Sequence, residues 1–571
     1  MKTAMARPLA AIGSVVLIIG ALLPWATFVL NDGAYPDKAT LEFFDAPFGL
    51  TSFRLYLEIF GLAGLVFTFL PVRGKIRVLK AIGWGAGGIA IVNLLFIAGD
   101  GGGLGAITMA DGVPAFGSIV AVVGAAVLLY GAYQLPPEPL RVINPKLPWW
   151  AEWLILLVSF VAMLFLITET LTAGGHSGVS DPYIGPLFLS YLSAAGGLLG
   201  VLYAFGVTKW ISDMSERHRI FSIVVLVLCA VAVPLTSVGN DYWMTITANI
   251  GVYAATAIGL NIVVGLAGLL DLGYVAFMGI GAFVAANLSG AVASEFGIRL
   301  PFIVAAIAAG IVAGIFGAVV GSPTLRVRGD YLAIVTLAFG EIFVRVSQNN
   351  IGGLTGGSNA IPNIPDLSLF GAQFSDSLTI GGLQLPGGVL YYFLIVLLVA
   401  LVMFVFGNLK NSRIGRAWIA IREDEDVARA MGVKTGKLKI LAFMTGATTA
   451  GLAGAVFAHK LATASYDSFQ FNWSVTLLAA VILGGMGTIP GAVLGAALLT
   501  VLPEELRQFQ NFRLLVFGLA LVVIMRFRPQ GLIADRHRRA ELADEDVTGE
   551  SLDDTVIKEP VAVAGAKEAG A

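Results

Sequence analysis

Long apolar runs separated by short polar segments dominate this chain. Most runs are about twenty residues long, the length that a helix needs to cross a hydrocarbon core of roughly 30 Å. Few of them alternate polar and apolar residues, so the pattern favours membrane-spanning helices over an outer-membrane barrel. The sequence therefore predicts an all-α, polytopic transmembrane helix bundle. The predicted spans lie near residues 8–30, 53–71, 79–98, 115–134, 151–171, 185–206, 219–238, 244–264, 265–289, 301–322, 331–350, 389–407, 438–458 and 511–527, with a broken stretch at 475–502.

Composition agrees with this pattern. Hydrophobic residues make up 57% of the 571 positions and charged residues only 13%, so the chain is not an ordinary soluble protein. A net charge of −2 without a basic arm gives no indication of nucleic-acid binding. Cys229, the only cysteine, lies in an apolar run, which excludes an intrachain disulfide and predicts an inert core thiol.

The distribution of charged residues predicts the orientation of the spans. Basic loops, such as the one with Lys75 and Arg77, alternate with loops that carry mostly acidic residues, which places the N-terminus inside. The first apolar stretch ends at Leu30 and is too long for a typical secretory signal, so we expect a first span there. A single span at 475–502 would leave the basic C-terminal region outside. The glycine-rich interruption at 484–491 therefore predicts two short segments and an inner C-terminus.

Two further segments lie outside the span pattern. The Pro-rich connector 134–150 is the best internal boundary, and Trp149, Trp150 and Trp153 follow it as a predicted interfacial anchor. Residues 535–571 are polar and acidic, which predicts a disordered cytoplasmic tail.

No sequence motif indicates an enzyme. Residues 432–438 (GVKTGKL) lack the spacing and the final Ser or Thr of a phosphate-binding loop. Residues 83–88 match GxGxxG but lie inside an apolar run, where helix packing is the better account. The four histidines are scattered and predict neither a metal cluster nor a catalytic dyad.

Residues 410–437, here called the charged segment, form the longest charged stretch between two strongly apolar runs. Asp424 is a predicted helix cap with two acidic residues in the first turn, and Gly432 is a predicted stop. Ser412 can begin another short turn. Two interpretations remain open, a solvated loop between spans and a docking element for a soluble cytoplasmic partner.

Two apolar stretches are interrupted by glycines, at residues 265–281 and 483–496. Broken helices in corresponding positions of two halves indicate a midplane path, because unwound backbone is tolerated in a membrane only beside a cavity or inside protein. Asp271 in the first stretch supports this reading, since an intramembrane carboxylate is costly. Glycines that only allow close helix packing remain the alternative.

Polar residues lie within the predicted span near 331–350 and directly after it. Glu341 and Arg345 are four positions apart, so we expect an ion pair on one helical face, structural in role rather than in contact with substrate. Residues 349–359 (NNIGGLTGGSN) then predict a flexible polar rim at the outer face. This rim can line an entrance, meet an extracytoplasmic partner or simply be a loop.

Several long motifs together resemble the LivM-type permeases of branched-chain amino-acid ABC importers. The similarity covers about residues 219–534, whereas residues 1–218, with about six predicted spans, are long for an N-terminal extension and have no assigned function. The matching motifs are GLNIVVGLAGLLDLGYVAFMGIGAF (259–283), LRVRGDYLAIVTLAFGEI (325–342), LTGGSN (354–359), GRAWIAIREDEDVARAMGV (415–433), LGGMGTIPGA (483–492) and RPQGL (528–532).

The resemblance implies a permease subunit that imports leucine, isoleucine and valine across a bacterial inner membrane. It implies a second LivH-like permease, two cytoplasmic ATPases that hold ATP and magnesium, and an extracytoplasmic amino-acid-binding protein; this chain holds no cofactor. A urea or short-amide importer is the nearest alternative. An ion-coupled secondary transporter, with Asp271 and the Glu341–Arg345 pair as a relay, is a second, and a sensor or scaffold fused to a permease is a third.

The same resemblance, together with the patterns above, gives the expected site residues. No metal site is expected. The ATPase-coupling residues are Gly415, Arg416, Ala417, Arg422, Glu423, Asp424, Glu425, Ala428, Met431 and Gly432; the translocation path contains Gly268, Asp271, Gly273, Tyr274, Gly279, Gly484, Gly485 and Gly487; the outer rim contains Gly356, Gly357, Ser358 and Asn359.

Overall fold

The structure is a computed structural model that describes most of the predicted spans. Several predicted features lie outside the described residues. They are the span 511–527 (except residues 518, 522 and 526), the tail 535–571, the middle of the Pro-rich connector, His176 and His537. The described residues are 2–23, 25, 29–30, 33–34, 53–70, 74–99, 109–110, 113–114, 116–136, 147–172, 184–291, 297–325, 331–369, 371–380, 383–505, 518, 522, 526 and 531–533.

The chain divides into two compact units. The first contains Met1–Ile246, Asp376–Val389 and Leu502–Leu514, and the second contains Thr247–Ser375, Leu390–Val501 and Leu515–Ala571. The helices of the first unit are α1 (Lys2–Leu22), α2 (Phe53–Phe69), α3 (Lys75–Gly99), α4 (Gly117–Gln134), α5 (Trp149–Thr172), α6 (Ile184–Ala204), α7 (Val207–Arg217) and α8 (Arg219–Ala232). Antiparallel two-stranded pairs join β1 (Val29–Leu30) to β2 (Gly33–Ala34), β3 (Met109–Ala110) to β4 (Val113–Pro114), and β8 (Leu378–Ile380) to β9 (Leu383–Leu385).

Small residues let the helices of the first unit approach closely. A side chain added at Gly124 in α4 would lie 2.5 Å from the backbone nitrogen of Leu17 in α1. The GxGxxG stretch in α3 packs in the same way, because Gly85 lies against Gly197 and Gly88 against Ser193, both in α6. The interpretation of that motif as helix packing is confirmed.

A polar cluster joins α5 to the turn between α7 and α8. The buried carboxylate of Glu152 lies 3.0 Å from Arg217 and 2.7 Å from Nε2 of His218. Trp153 donates its indole N–H to Nδ1 of His218 at 3.2 Å, so His218 carries its proton on Nε2. Trp149 and Trp150 are exposed, and Cys229 in α8 is only half-buried, so the prediction of a core thiol was wrong.

The second unit is built around a continuous apolar core from residues 248 to 496. Its helices are α9 (Asp241–Asn261), α10 (Val275–Leu288), α11 (Phe302–Gly321), α12 (Tyr331–Gln348), α13 (Val389–Asn411), α14 (Arg413–Glu423), α15 (Glu425–Ala430), α16 (Thr435–Leu461), α17 (Phe471–Gly484) and α18 (Ile489–Glu505). Strand β5 (Ile361–Pro362) pairs with β10 (Thr463–Ala464), and β6 (Ser368–Leu369) with β7 (Ala372–Gln373).

Ten helices in the described part of the chain are long and apolar enough to cross a membrane. The prediction of a polytopic all-α protein is therefore confirmed, although some span limits were wrong. Helix α1 covers Lys2–Leu22 rather than 8–30. The predicted span 265–289 contains a non-helical stretch and only the 14-residue α10, because the chain unwinds before it. The stretch 475–502 is broken, as predicted, between α17 and α18.

Candidate functional site

The charged segment folds into two short, capped helices. Ser412 accepts a hydrogen bond on Oγ from the backbone N–H of Gly415 at 3.1 Å, and α14 begins there. Asp424 accepts the N–H groups of Asp426 and Val427 at 2.8 and 3.0 Å, which caps α15. The chain leaves α15 through Gly432, whose φ of +87° is left-handed and favours glycine. The two caps and the stop read from the sequence are confirmed.

One face of the charged segment packs against the start of α16. Trp418 is fully buried and donates its indole N–H to the carbonyl of Leu438 at 2.8 Å. Glu425 accepts hydrogen bonds from Arg429 at 2.8 Å and from Lys439. Partial burial opposes ionisation of Glu425, but the hydrogen bond and charge of Lys439, with the charge of Arg429, lower its pKa. These contacts hold the segment in one orientation.

The opposite face of the charged segment is open. Val427 is 58% exposed and Met431 80% exposed, and charged side chains surround them. Exposed apolar side chains with a polar rim are typical of protein–protein contact surfaces. Of the ten expected coupling residues, Arg416, Glu423, Asp424, Met431 and Gly432 are exposed, Ala417, Arg422 and Glu425 are half-buried, and Gly415 and Ala428 are buried.

Residues 267–274, here called the first break, separate the π-helical turn Ile262–Leu266 from α10. Asp271 is fully buried there; its Oδ1 accepts the N–H of Gly273 at 2.9 Å, and its other oxygen has no partner among the described residues. Tyr274 donates its hydroxyl to the carbonyl of Gly446 at 2.7 Å. Gly279 belongs to α10, where it packs against Phe343, so it does not lie in unwound backbone.

Residues 485–488, here called the second break, separate α17 from α18. Gly485 and Gly487 have φ values of +126° and +75°, conformations that side chains disfavour. The backbone of residues 531–533 closes this break, because Leu532 and Ile533 donate their N–H groups to Leu483 and Gly484 at 2.8 and 2.9 Å. Gly484 is a close-packing position, since an added side chain would collide with the carbonyl of Gly491.

A buried amide joins the end of α9, which leads into the first break, to the second break. Asn261 donates to the carbonyl of Thr488 at 2.9 Å and accepts the N–H of Gly487 at 2.8 Å. Gly265 leaves room for this contact, because a side chain there would collide with Asn261. The sequence reading missed Asn261, although a polar amide in an otherwise apolar run was the available signal.

The charged segment reaches both breaks directly. Arg422 donates from Nη1 to the carbonyl of Gly265 at 2.7 Å, and its side chain lies against Gly268 of the first break. Lys410 donates to the carbonyl of Gly487 in the second break at 2.8 Å. Charge-assisted hydrogen bonds therefore tie the charged segment to the π-helical turn that leads into the first break and to the second break itself. Lys410 was also missed, since a lysine at a span end gives no distinctive signal.

The expected ion pair between Glu341 and Arg345 does not form. Arg345 instead donates to the side-chain oxygen of Gln348 at 3.0 Å, one turn further along α12. Helical spacing permits the pair, but the amide of Gln348 lies equally close and takes the guanidinium.

Hydrogen bonds to one side chain organise the backbone of the predicted outer rim. The side-chain oxygen of Asn350 accepts the N–H groups of Thr355 and Gly356, both at 3.0 Å. Gly356 and Gly357 have φ values of +68° and +60° and lead into a short 3₁₀ turn, Gly357–Asn359. Ser358 and Asn359 are exposed at this turn.

No metal site is visible in the described part of the chain, where no three His, Cys, Asp or Glu side chains converge.

Comparison with known proteins decides the family. A family described as the permease component of the branched-chain amino acid transport system matches residues 242–525. The high-affinity branched-chain amino acid transport system permease protein LivM of Salmonella typhimurium is 40% identical over 353 residues, which cover 60% of this chain and 80% of that protein. This chain belongs to that permease family.

Other relatives agree with the assignment. LivM of Escherichia coli is 38% identical over 378 residues, 64% of this chain and 85% of that protein. The permease protein LivH of Salmonella typhimurium is 27% identical over 285 residues, 47% of this chain and 89% of that protein. No solved structure matches the chain. With ten helices long and apolar enough to span a membrane among its described residues, this permease-family member is a multi-pass membrane protein.

Proposed function

We propose that this chain is the membrane-spanning permease subunit of an ATP-driven importer for leucine, isoleucine and valine. Family membership supports the class of function and the names of the relatives support the substrate. The observation that carries the mechanism is a pair of hydrogen bonds, from Arg422 to the π-helical turn before the first break and from Lys410 to the second break. A solvated loop has no need of such contacts, whereas a coupling element does.

In the proposed cycle, cytoplasmic ATPases dock on the open face of the charged segment, around Val427 and Met431. ATP-driven closure of the ATPases displaces this segment. Arg422 and Lys410 transmit the displacement to the turn before the first break and to the second break, and Asn261 couples the end of α9 to the second break. The path opens alternately to the two sides of the membrane. Gly268, Asp271, Gly273, Tyr274 and the glycines of the second break are its proposed lining.

The proposed assembly contains a second, LivH-like permease, two ATPase subunits and an extracytoplasmic amino-acid-binding protein that docks near the outer rim. ATP and magnesium are bound by the ATPases, so this chain is a transport subunit and not an enzyme. We place the assembly in a bacterial inner membrane with both termini of this chain in the cytoplasm. Residues 219–534 form the proposed permease core, after an N-terminal extension (1–218) and before a cytoplasmic tail (535–571).

Co-purification and uptake together test the proposal. The chain is expressed with its partner permease and ATPases, purified in mild detergent and reconstituted into liposomes with the binding protein outside. We expect co-purification of both ATPases and leucine uptake that requires ATP inside and survives a protonophore. Glu423→Lys reverses an exposed charge on the charged segment and should remove ATPases and uptake while the chain still inserts.

Asp376→Lys is the matched control, because it makes the same charge reversal at an exposed position in the loop after α12. It should leave ATPase binding and uptake unchanged. Uptake that collapses with the protonophore at constant ATP would replace the proposal with ion-coupled transport. Uptake of urea or short amides in preference to leucine would change the substrate but keep the mechanism.

A further inference from the structure

Helix α12 is a candidate membrane span, yet it carries two opposite charges that do not neutralise each other. The carboxylate of Glu341 has no hydrogen bond or ion pair with any residue that the structure describes. The guanidinium of Arg345 donates to the side-chain oxygen of Gln348 and to no other group in that part of the chain. Ionisable groups in a span are costly and occur mainly where they face a cavity, a partner or a transported species.

Both charges line one pocket of about 350 Å³. Ligand pockets in proteins commonly have volumes of about 300–1,000 Å³, so its size suits a small metabolite. On the opposite wall lie Tyr466, Asp467, Gln470, Phe471 and Asn472, from the turn before α17 and its first residues. The lining therefore offers a cation, carboxylates, amides and a few apolar side chains, among them Val344 and Phe471.

The spacing of the two charges fits a ligand with both signs on neighbouring atoms. Side chains four positions apart on a helix have Cβ atoms about 5–6 Å apart, so one small group can touch both. An α-amino acid carries an ammonium and a carboxylate on the same carbon. Bound between Glu341 and Arg345, it neutralises both charges and leaves its side chain directed away from them.

The pocket also adjoins the first break. Gly340, the residue before Glu341, lies so close to Gly273 that an added side chain would be 3.1 Å from its Cα. One turn earlier, Thr336 accepts the backbone N–H of Leu272 at 3.0 Å. The charged pair therefore lies next to residues of α12 that pack against the first break.

We propose that Glu341 and Arg345 form a binding site for the ammonium and carboxylate groups of a free α-amino acid beside the first break. This inference rests on the proposed import of amino acids, and it assigns the head-group recognition to this chain rather than to the binding protein alone. The site binds weakly and transiently, because its charges stay partly open to solvent and Arg345 must first leave Gln348.

The test measures binding without the binding protein. The complex of this chain with its partner permease and ATPases is placed in nanodiscs. Saturation-transfer NMR then measures the binding of three ligands: leucine, 4-methylpentanoate (which lacks the ammonium) and 3-methylbutylamine (which lacks the carboxylate). Arg345→Gln should weaken the binding of leucine and 4-methylpentanoate about tenfold or more and leave the binding of the amine unchanged. Glu341→Gln should weaken the binding of leucine and the amine and leave the binding of 4-methylpentanoate unchanged.

Arg299→Gln is the control, because Arg299 is an exposed cation outside this pocket. It should bind all three ligands as the unmodified complex does. The proposal fails if the unmodified complex binds no leucine, or if leucine binding is equal in all variants. Loss of the partner permease from either pocket variant would also overturn it, since the charges would then hold a subunit interface.

Uptake separates this inference from the proposed function. If the unmodified transporter takes up leucine with ATP and both pocket variants do so equally well, the site is wrong and the proposed function stands. If the unmodified transporter takes up no amino acid, the proposed function fails. The NMR pattern across the three ligands still decides whether the site exists.

Discussion

Arg422→Gln is the sharpest perturbation of the proposed coupling route. The change removes a charge-assisted hydrogen bond of 2.7 Å to the carbonyl of Gly265 and leaves the half-buried position otherwise filled. A hydrogen bond to a charged group contributes about 1.5–3 kcal/mol. The neighbouring pair with Glu423 is exposed and adds at most about 1 kcal/mol.

Coupling free energies of this size change a linked equilibrium by about ten- to hundredfold. We therefore expect ATP-driven leucine uptake to fall by about tenfold or more. ATPase subunits should still co-purify, because the open face around Met431 is unchanged. The ratio of leucine transported to ATP hydrolysed, measured in proteoliposomes, should fall together with uptake.

Arg416→Gln provides a matched control on the same helix. Arg416 is exposed and its bond to the carbonyl of Asn411 is 3.2 Å long, so its loss should cost no more than about 0.5 kcal/mol. Equal losses of uptake in the two variants would refute the reasoning. So would an Arg422→Gln complex that lost its ATPases, since the defect would then lie in docking.

Four other outcomes follow from the site. Gly432→Arg forces a side chain into a left-handed conformation that costs about 1–2 kcal/mol and should abolish uptake without preventing insertion; wild-type uptake would argue against a role in docking. Asp271→Asn should impair uptake while the ATPases stay bound, and normal uptake would reduce Asp271 to packing. Trp418→Ala should destabilise the chain by about 3–5 kcal/mol, visible as a lower thermal unfolding temperature; an unchanged temperature would contradict its buried position. Because its folded-state pKa is lowered, Glu425 stabilises α15 above its ordinary pKa of 4.5, and this stabilisation is lost as the pH falls below that value. Hydrogen exchange in residues 425–433 should show the loss, and Glu425→Gln should make it smaller while the carboxylate of Asp424 still caps α15; an unchanged pH dependence in this variant would contradict the role of Glu425.

Local signals in the sequence predicted local structure well. Ser412, Asp424 and Gly432 were assigned correctly because a cap or a stop depends on a few neighbouring residues. The two breaks were located for the same reason, since glycine runs inside apolar stretches weaken a helix wherever they occur.

Contacts between distant residues could not be predicted in this way. Arg422 reaches a carbonyl 157 positions earlier in the chain, and no spacing rule connects the two. Glu341 and Arg345 show the same limit at short range, because the choice between a carboxylate and the amide of Gln348 depends on rotamers and surroundings. The length of α10 was misjudged because the unwound backbone before it took up residues that the hydropathy pattern counts as helix.

The hydrogen bonds of Asn261 also bear on the order in which parts of this chain can pack during synthesis. Its two partners, Gly487 and Thr488, are synthesised 226 and 227 residues later. Until these two residues emerge from the ribosome, the Asn261 side chain lacks both hydrogen bonds, and an unsatisfied polar group in lipid costs several kcal/mol. We therefore expect the first half of the second unit to reach its final packing only after the second half has been inserted. A chain that ends before residue 488 should accordingly be degraded faster than the full chain, although the spans before that point are present.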